Sequence, residues 1–317
     1  MKKAWPVFTG QALQKMVGAA GFELATLCSQ SRCATRLRYA PTAHILTRGC
    51  CPSWGVPHFF AGHDNGRFMT QDAYNLPWLE AHDRFPDVSQ AWPQGSDAPG
   101  LLAAGADLSV QRLVDAYAQG IFPWYSQGQP ILWWSTDPRM VLQVAQFRLH
   151  RSLRKTLQAF VQRPDCEIRF DSDFAAVIGH CAATERPGQG GTWIVAPMQA
   201  AYCALHRAGF AHSVETWVDG KLVGGLYCVT LGHAVYGESM FAHQSDASKI
   251  ALAALVSFCR AHKVARIDCQ QNTRHLASLG AAEISRSAFA TQLRPAIAQG
   301  PLDWHFDPLY WQHLLQR

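Results

Sequence analysis

Two stretches in the last third of the chain constrain its fold most: Val235-Tyr236-Gly237-Glu238-Ser239-Met240-Phe241 and Ile267-Asp268-Cys269-Gln270-Gln271. Both are rich in β-branched or aromatic residues, which suit a pleated strand, and each ends by presenting a carboxylate. Between them Ile250, Leu252, Ala253, Leu255, Val256 and Cys259 describe a broadly apolar helix, with Asp246 or Ser248 as its N-cap. A helical crossover of this kind brings Glu238 and Asp268 together as a candidate reaction centre.

At 317 residues there is room for two domains or one large one, and 48% hydrophobic residues can fill a core without disulfides. No apolar run reaches the roughly 18–20 residues of a membrane span. Lys2 and Lys3 are followed by Gln11, Gln14 and Lys15, which break any signal-peptide core. The expectation is a soluble, cytoplasmic protein with no membrane partner. The net charge of +5 divides unevenly, because residues 1–68 hold eight Lys/Arg against two Asp/Glu. The remainder is nearly neutral, so nucleic-acid contact there requires a local patch.

Cysteines divide in the same way. Cys28, Cys33, Cys50, Cys51 and His44 fall in the leader, at spacings that match no usual zinc pattern. The other six are scattered singly, as expected of buried reduced thiols. The leader, 1–68, has no sustained periodicity and reads as disordered or as a mis-assigned start. Gly21-Phe22-Glu23-Leu24 back-translates to contain TTCGAA, the palindrome at the T loop of many tRNA genes. The expectation is translation from Met69, with a basic disordered tail as the alternative.

A small first domain is expected over 69–145. Asp107 or Ser109 caps a helix with Leu113, Val114 and Tyr117 inward and Gly120 as its stop. Gly120-Ile121-Phe122-Pro123-Trp124-Tyr125 and Leu132-Trp133-Trp134 follow, an aromatic density that serves either a core or a loop-edged pocket. An exposed Trp can stack a nucleobase, and Trp124, flanked by loop residues, is the candidate.

The second domain is expected over 146–300, with a C-terminal tail at 301–317. A helix over 151–163 turns Leu153, Leu157, Phe160 and Val161 inward. Arg148, Arg151, Arg154, Lys155 and Arg163 make it basic, either as a solvated face or as a phosphate-contacting patch. Further helices are expected around Phe174, Val177 and Ile178 and around Tyr202 and Leu205. The Gly-rich loop 184–191 is not followed by a helix, which weakens a phosphate-cradling role. Asp219-Gly220 joins two strands as a hairpin, and Gly224-Gly225 inside the second implies a bulge or close approach to a ligand. This order of elements fits an α/β sheet of the N-acyltransferase type. The position of the usual CoA pyrophosphate loop reads Ala242-His243-Gln244-Ser245-Asp246, without glycine, which counts against an acyl-CoA donor.

The stretches GLLAAGADLS, GIFPWYSQGQPILWWSTDPR, GGTWI, AHSVETW, LVGGLY, YGESMF, ASKIAL, IDCQ and HLASLGAAEISR resemble, in order, those of the leucyl/phenylalanyl-tRNA–protein transferase family. The resemblance runs from about Phe85 to the C-terminus. It implies an α/β (α+β) chain: a small N-terminal domain plus a GNAT/Fem-like N-acyltransferase domain. It also implies transfer of Leu, Phe and sometimes Met from Leu-tRNA or Phe-tRNA to proteins beginning with Arg or Lys, in the N-end-rule degradation pathway. A non-catalytic tRNA- or degron-binding module is the alternative from another class.

By motif position, Trp124 and Trp193 correspond to residues holding the 3′-adenosine, and Tyr202, Leu226, Met240 and Phe241 to the donor pocket. Glu238 and Gln270 correspond to the acceptor pocket, Asp268 and Gln270 to the groups assisting the amine. Arg151, Arg154 and Lys155 correspond to the region meeting the acceptor stem. The donor ester is already activated, so no cofactor and no metal are expected. Cys228 and Thr136 depart from the family's usual Gly and Pro, and Cys228 is expected to narrow the site. His212, His243 and His275 are lesser acid–base candidates.

Overall fold

The two carboxylate-bearing strands sit near the middle of a seven-stranded mixed sheet in the computed structural model, which describes residues 75–184 and 192–316. The leader, its Cys28, Cys33, Cys50, Cys51 and His44 and the expected start at Met69 lie outside the described residues, as does most of the Gly-rich loop 184–191.

A four-stranded sheet comes first in the chain. Its strands are β1 (Trp78–Leu79), β2 (Leu101–Gly105), β3 (Phe122–Pro123) and β4 (Leu132–Trp134), in the order β1-β2-β4-β3. Helix α1 (Val110–Ala118) joins β2 to β3. Of the two expected caps, Ser109 serves, accepting from the N–H of Arg112, while Asp107 accepts from Ser109 itself. Trp133 and Trp134 are buried with their indole N–H groups satisfied, at Gly105 O (2.9 Å) and Trp124 O (2.7 Å). They are core residues.

The chain changes sheets between Trp134 and Arg139. The larger sheet comprises β5 (Arg139–Gln143), β6 (Cys166–Phe170), β7 (Ala211–Val218), β8 (Lys221–Leu231), β9 (Ala234–Ala242), β10 (Arg266–Gln270) and β11 (Ala282–Ile284). Their order is β11-β5-β10-β9-β8-β7-β6. Only the β9–β10 pair is parallel; the other pairs in this sheet are antiparallel. The β7–β8 hairpin turns at Asp219 and Gly220, both at positive φ, as a tight two-residue turn demands.

The helices are α2 (Arg151–Gln162), α3 (Phe174–Ala183), α4 (Ala196–Arg207), α5 (Ala247–Ala261), α6 (Arg274–Ser278), α7 (Arg286–Ile297) and α8 (Gln312–Leu315). Two apolar clusters result. One joins the small sheet to α3, α4, α7 and one set of large-sheet side chains, including Tyr227, Tyr236 and Phe241. The other joins α2 and α5 to Val235, Ile267 and the C-terminal residues Phe306, Trp311 and Leu314. Helix α5 is the crossover between β9 and β10; twelve of its fifteen residues are buried, so it packs on more than one side.

Three local expectations are corrected. Val161 is 43% exposed, because Leu153, Leu157 and Phe160 already fill the inward stripe of α2. Asp246 precedes α5 in the left-handed region and makes no side-chain cap; its carboxylate instead accepts from Lys249 Nζ at 2.7 Å. At Gly224-Gly225 the expected bulge is present, with Val223 extra against β7, but the close approach is to helix rather than ligand: a Cβ at Gly224 would lie 2.4 Å from that of Ala247.

Candidate active site

Past the aligned pairs Ile267–Val235 and Asp268–Tyr236, no further pairing links the two parallel strands. Each then bulges. In β9 the register against β8 passes from Gly237–Cys228 to Ser239–Tyr227, leaving Glu238 as the extra residue. In β10 the register against β5 passes from Asp268–Val141 to Gln270–Met140, leaving Cys269 extra and Gln270 at φ +54°. A bulge shifts the alternation of faces and re-aims side chains, a device concentrated at functional sites. After the first bulge Met240 packs with the α5 cluster while Phe241 joins the opposite one.

Glu238 is buried, and its carboxylate meets neutral donors. Tyr117 Oη donates to Oε1 at 2.8 Å, Gln270 Nε2 to Oε1 at 3.2 Å, and Tyr202 Oη to Oε2 at 3.2 Å. The two tyrosine hydroxyls are also within hydrogen-bond distance of each other, so their two hydrogens are shared among three contacts, and Tyr236 Oη donates to Tyr117 O at 2.7 Å. Burial pushes the Glu238 pKa up to about 7; its tyrosine donors oppose the rise and the charge of Asp268 adds to it. Burial and the nearby carboxylate raise both phenols well above their ordinary range, which keeps them as donors.

Asp268 has a different setting. Arg139 donates through Nε to Oδ1 at 2.9 Å and through Nη2 to Oδ2 at 2.6 Å, a bidentate pair with both partners buried. Phe122 and Phe289 lie on the guanidinium, each with its ring centroid 4.8 Å away. Oδ1 also accepts from the backbone N–H of Gln270 at 3.0 Å, and Gln270 O accepts from Thr136 Oγ1 at 3.1 Å. Gln270 therefore links the carboxylates: its backbone is held by Asp268 and its side chain by Glu238.

Beside this pair lies a cavity of about 70 Å³. Leu226, Met240, Leu252, Leu255, Ile267 and Leu276 form its apolar wall, while Glu238, Ser239, Gln270, Thr273 and His275 supply polar groups. Burial and Lys249 lower the pKa of His275, favouring its neutral form. His212 and His243 belong elsewhere, against Asp171 (2.7 Å) and His180 (3.1 Å) respectively. Cys228 is not part of the wall; it is buried and its thiol donates to His212 O at 3.6 Å. The expected narrowing of the site is thus corrected for this cavity.

Glu238, Asp268, Gln270, Leu226 and Met240 are brought together, with Tyr202 on Glu238. Phe241 packs away from the cavity, between His180 (4.8 Å) and His243 (5.0 Å). Trp124 and Trp193 both belong to the first apolar cluster; Trp124 is half-buried and edge-on to Trp134. Trp193 is 8% exposed, and its buried Nε1 has no hydrogen-bond partner among the described residues. Arg151 and Lys155 are exposed on α2, whereas Arg154 donates to Leu314 O at 3.0 Å. That helix packs into the second cluster, away from the layer of the tryptophans. Sequence reasoning missed Arg139 and the hydroxyl role of Tyr117. Both lie in quoted motifs or helices, but their partners are 129 and 121 residues away.

Comparison with known proteins defines the class as an aminoacyltransferase. Residues 141–294 match the family model described as leucyl/phenylalanyl-tRNA protein transferase, and residues 106–137 match the model of that family's N-terminal domain. A leucyl/phenylalanyl-tRNA–protein transferase of Polaromonas sp. is 63% identical over 240 residues, covering 76% of this chain and 94% of that protein. The protein of the same name from Albidiferax ferrireducens is 63% identical over 247 residues, covering 78% and 97%. A GCN5-related N-acetyltransferase structure from Kribbella flavida matches at 8% identity and a TM-score of 0.27, over 54% of this chain and 60% of that one. The chain belongs to the leucyl/phenylalanyl-tRNA protein transferase family, whose reaction moves leucine or phenylalanine from tRNA to protein.

Proposed function

We propose that this protein transfers Leu, Phe and also Met from aminoacyl-tRNA to the α-amine of proteins that begin with Arg or Lys. The proposed setting is N-end-rule degradation in the cytoplasm. The observation that carries the reading is a buried carboxylate, Glu238, with no cation on it among the described residues, bordering an apolar cavity. An incoming Arg or Lys side chain supplies the missing countercharge, and an acidic first residue is repelled. The cavity takes the aliphatic or aromatic side chain of the donor.

The α-amine has an ordinary pKa of about 7.7–8.0, so a useful fraction is neutral and nucleophilic near neutral pH. It attacks the ester carbonyl, forming the peptide bond. The ester C–O bond breaks, and the terminal hydroxyl of tRNA leaves with the proton shed by nitrogen. Alignment of the substrates supplies several kcal/mol of the acceleration. Asp268 acts through Gln270: it fixes the backbone from which the amide side chain reaches Glu238. Trp124 and Trp193 hold the 3′-adenosine by stacking, and Arg151, Arg154 and Lys155 meet the acceptor stem. The residues 69–145 and 146–300 serve in this reading as a small N-terminal domain and the acyltransferase domain, with β5 (Arg139–Gln143) reaching across from the first into the larger sheet.

The test is transfer of labelled leucine from Leu-tRNA to an Arg-initiated peptide, with an Asp-initiated peptide as control. Transfer to the first alone is expected. Equal transfer to both would remove Glu238 as selector, and transfer to neither would remove the proposed acceptor class.

A further inference from the structure

A second cavity, of about 340 Å³, opens at the other end of β9 and β10, below Ala234, Val235 and Arg266 rather than above Glu238 and Gln270. Its size falls within the roughly 300–1,000 Å³ of small-molecule sites. Helix α7 supplies an apolar side through Phe289, Leu293 and Ala296. His233, Lys263 and Arg266 supply nitrogen donors from the β8–β9 turn, the end of α5 and the start of β10, and His262, whose Nε2 meets Tyr310 Oη at 3.3 Å, lines the cavity beside them. The Nη1 atom of Arg266 is buried and has no hydrogen-bond partner among the described residues. A buried guanidinium donor left in that state costs free energy that an oxyanion would recover.

Acidic groups do not fill the role. Asp268 is the one carboxylate in the lining among the described residues, and its oxygens are held by Arg139 and the Gln270 N–H. Asp303 acts on His262 from the C-terminal segment and is not in the lining. Basic donors thus face an apolar wall in a cavity that shares Asp268, Tyr236 and Phe289 with the framework of the first site but to which the acyl-transfer proposal assigns no substrate.

We propose that this cavity binds a small phosphate monoester carrying an apolar body. The phosphate sits on Arg266, with Lys263, His262 and His233 around it, and the body lies against Phe289 and Leu293. A phosphate fits better than a carboxylate because its three oxygens and higher charge can engage several donors at once. A phosphate of bound tRNA offers related chemistry, and the experiment separates the two sources.

Phenyl phosphate is titrated calorimetrically into the full-length protein at low salt. Saturable one-to-one binding is expected, weakened about tenfold or more in Arg266→Met, with inorganic phosphate binding less tightly for want of the apolar body. Lys263→Asn is the second variant, since Lys263 is exposed at φ +57° and Asn tolerates that backbone. A loss of severalfold is expected there, with unchanged circular dichroism. No saturation below about 10 mM, or affinity equal to the unmodified protein in both folded variants, overturns the proposal. Uncharged tRNA is added as a competitor: simultaneous binding supports a separate small-ligand site, and competitive displacement assigns the donors to tRNA and overturns it.

Discussion

Glu238 and Asp268 are almost equally hidden, at 6% and 2% exposure, yet their charges are met in unlike ways. Asp268 has a guanidinium on both oxygens; Glu238 has two phenols and an amide. The first arrangement fixes a negative charge as part of the framework. The second leaves a group that changes charge near neutrality, which is what the proposed acceptor role for Glu238 requires. Two buried carboxylates on adjacent strands need not form an acid–base pair; here one is locked to a guanidinium and the other borders the apolar cavity.

The largest expected effect comes from breaking the framework pair. Arg139→Met leaves Asp268 buried and uncompensated, and should cost about 3–5 kcal/mol in chemical denaturation. Adding Asp268→Asn should restore much of that stability without restoring transfer. If the single substitution costs under about 1 kcal/mol, the pair is not the framework element described.

Next is the pH behaviour of Glu238. Its pKa rises from an ordinary 4.5 to about 7 on folding, so the folded state holds this proton more tightly. That stabilisation is complete below about pH 4.5 and is lost as pH rises through about 7. Glu238→Gln, neutral throughout, should therefore gain stability relative to the unmodified protein at pH 8 compared with pH 4.5, read as the difference in Tm. For catalysis the sign reverses: KM for an Arg-initiated peptide should fall as pH rises through 7, and the variant should lose that step. A parallel KM profile in both proteins breaks the contrast.

Smaller effects sharpen it. Tyr117→Phe removes a donor from Glu238 Oε1, so the midpoint of the KM step should move to higher pH. Thr136→Val removes the hydroxyl from Gln270 O and should cost about 1 kcal/mol or less, with a modest loss of kcat. An unchanged kcat would show that Gln270 is held adequately by Asp268 alone.

Much of this was readable in the chain. The strand–helix–strand unit, the Asp219-Gly220 hairpin and the inward stripes of α1 and α3 follow from local chemistry. The meeting of Glu238, Asp268 and Gln270 was also expected. What local pattern could not carry was parity. Strict alternation would put Glu238 and Met240 on one face, and the extra residue at Glu238 undoes it. The same holds for Cys269 in β10. Nor does sequence distinguish a side-chain cap from a carboxylate turned toward Lys249, as at Asp246, where the backbone conformation decides. The Arg139–Asp268 pair spans 129 residues, beyond any periodicity.

The place of β5 in the large sheet has a consequence for the nascent chain. This strand is made before all the others of that sheet, yet it lies between β10 and β11, which are made last. Its edges and the charge of Arg139 must wait while 129 residues are added, on the order of ten seconds at bacterial elongation rates. Folding of the large sheet is therefore completed only after β10 and β11 have been made. A ribosome stalled before Asp268 should display an incompletely paired β5, open to chaperones or to a second nascent copy.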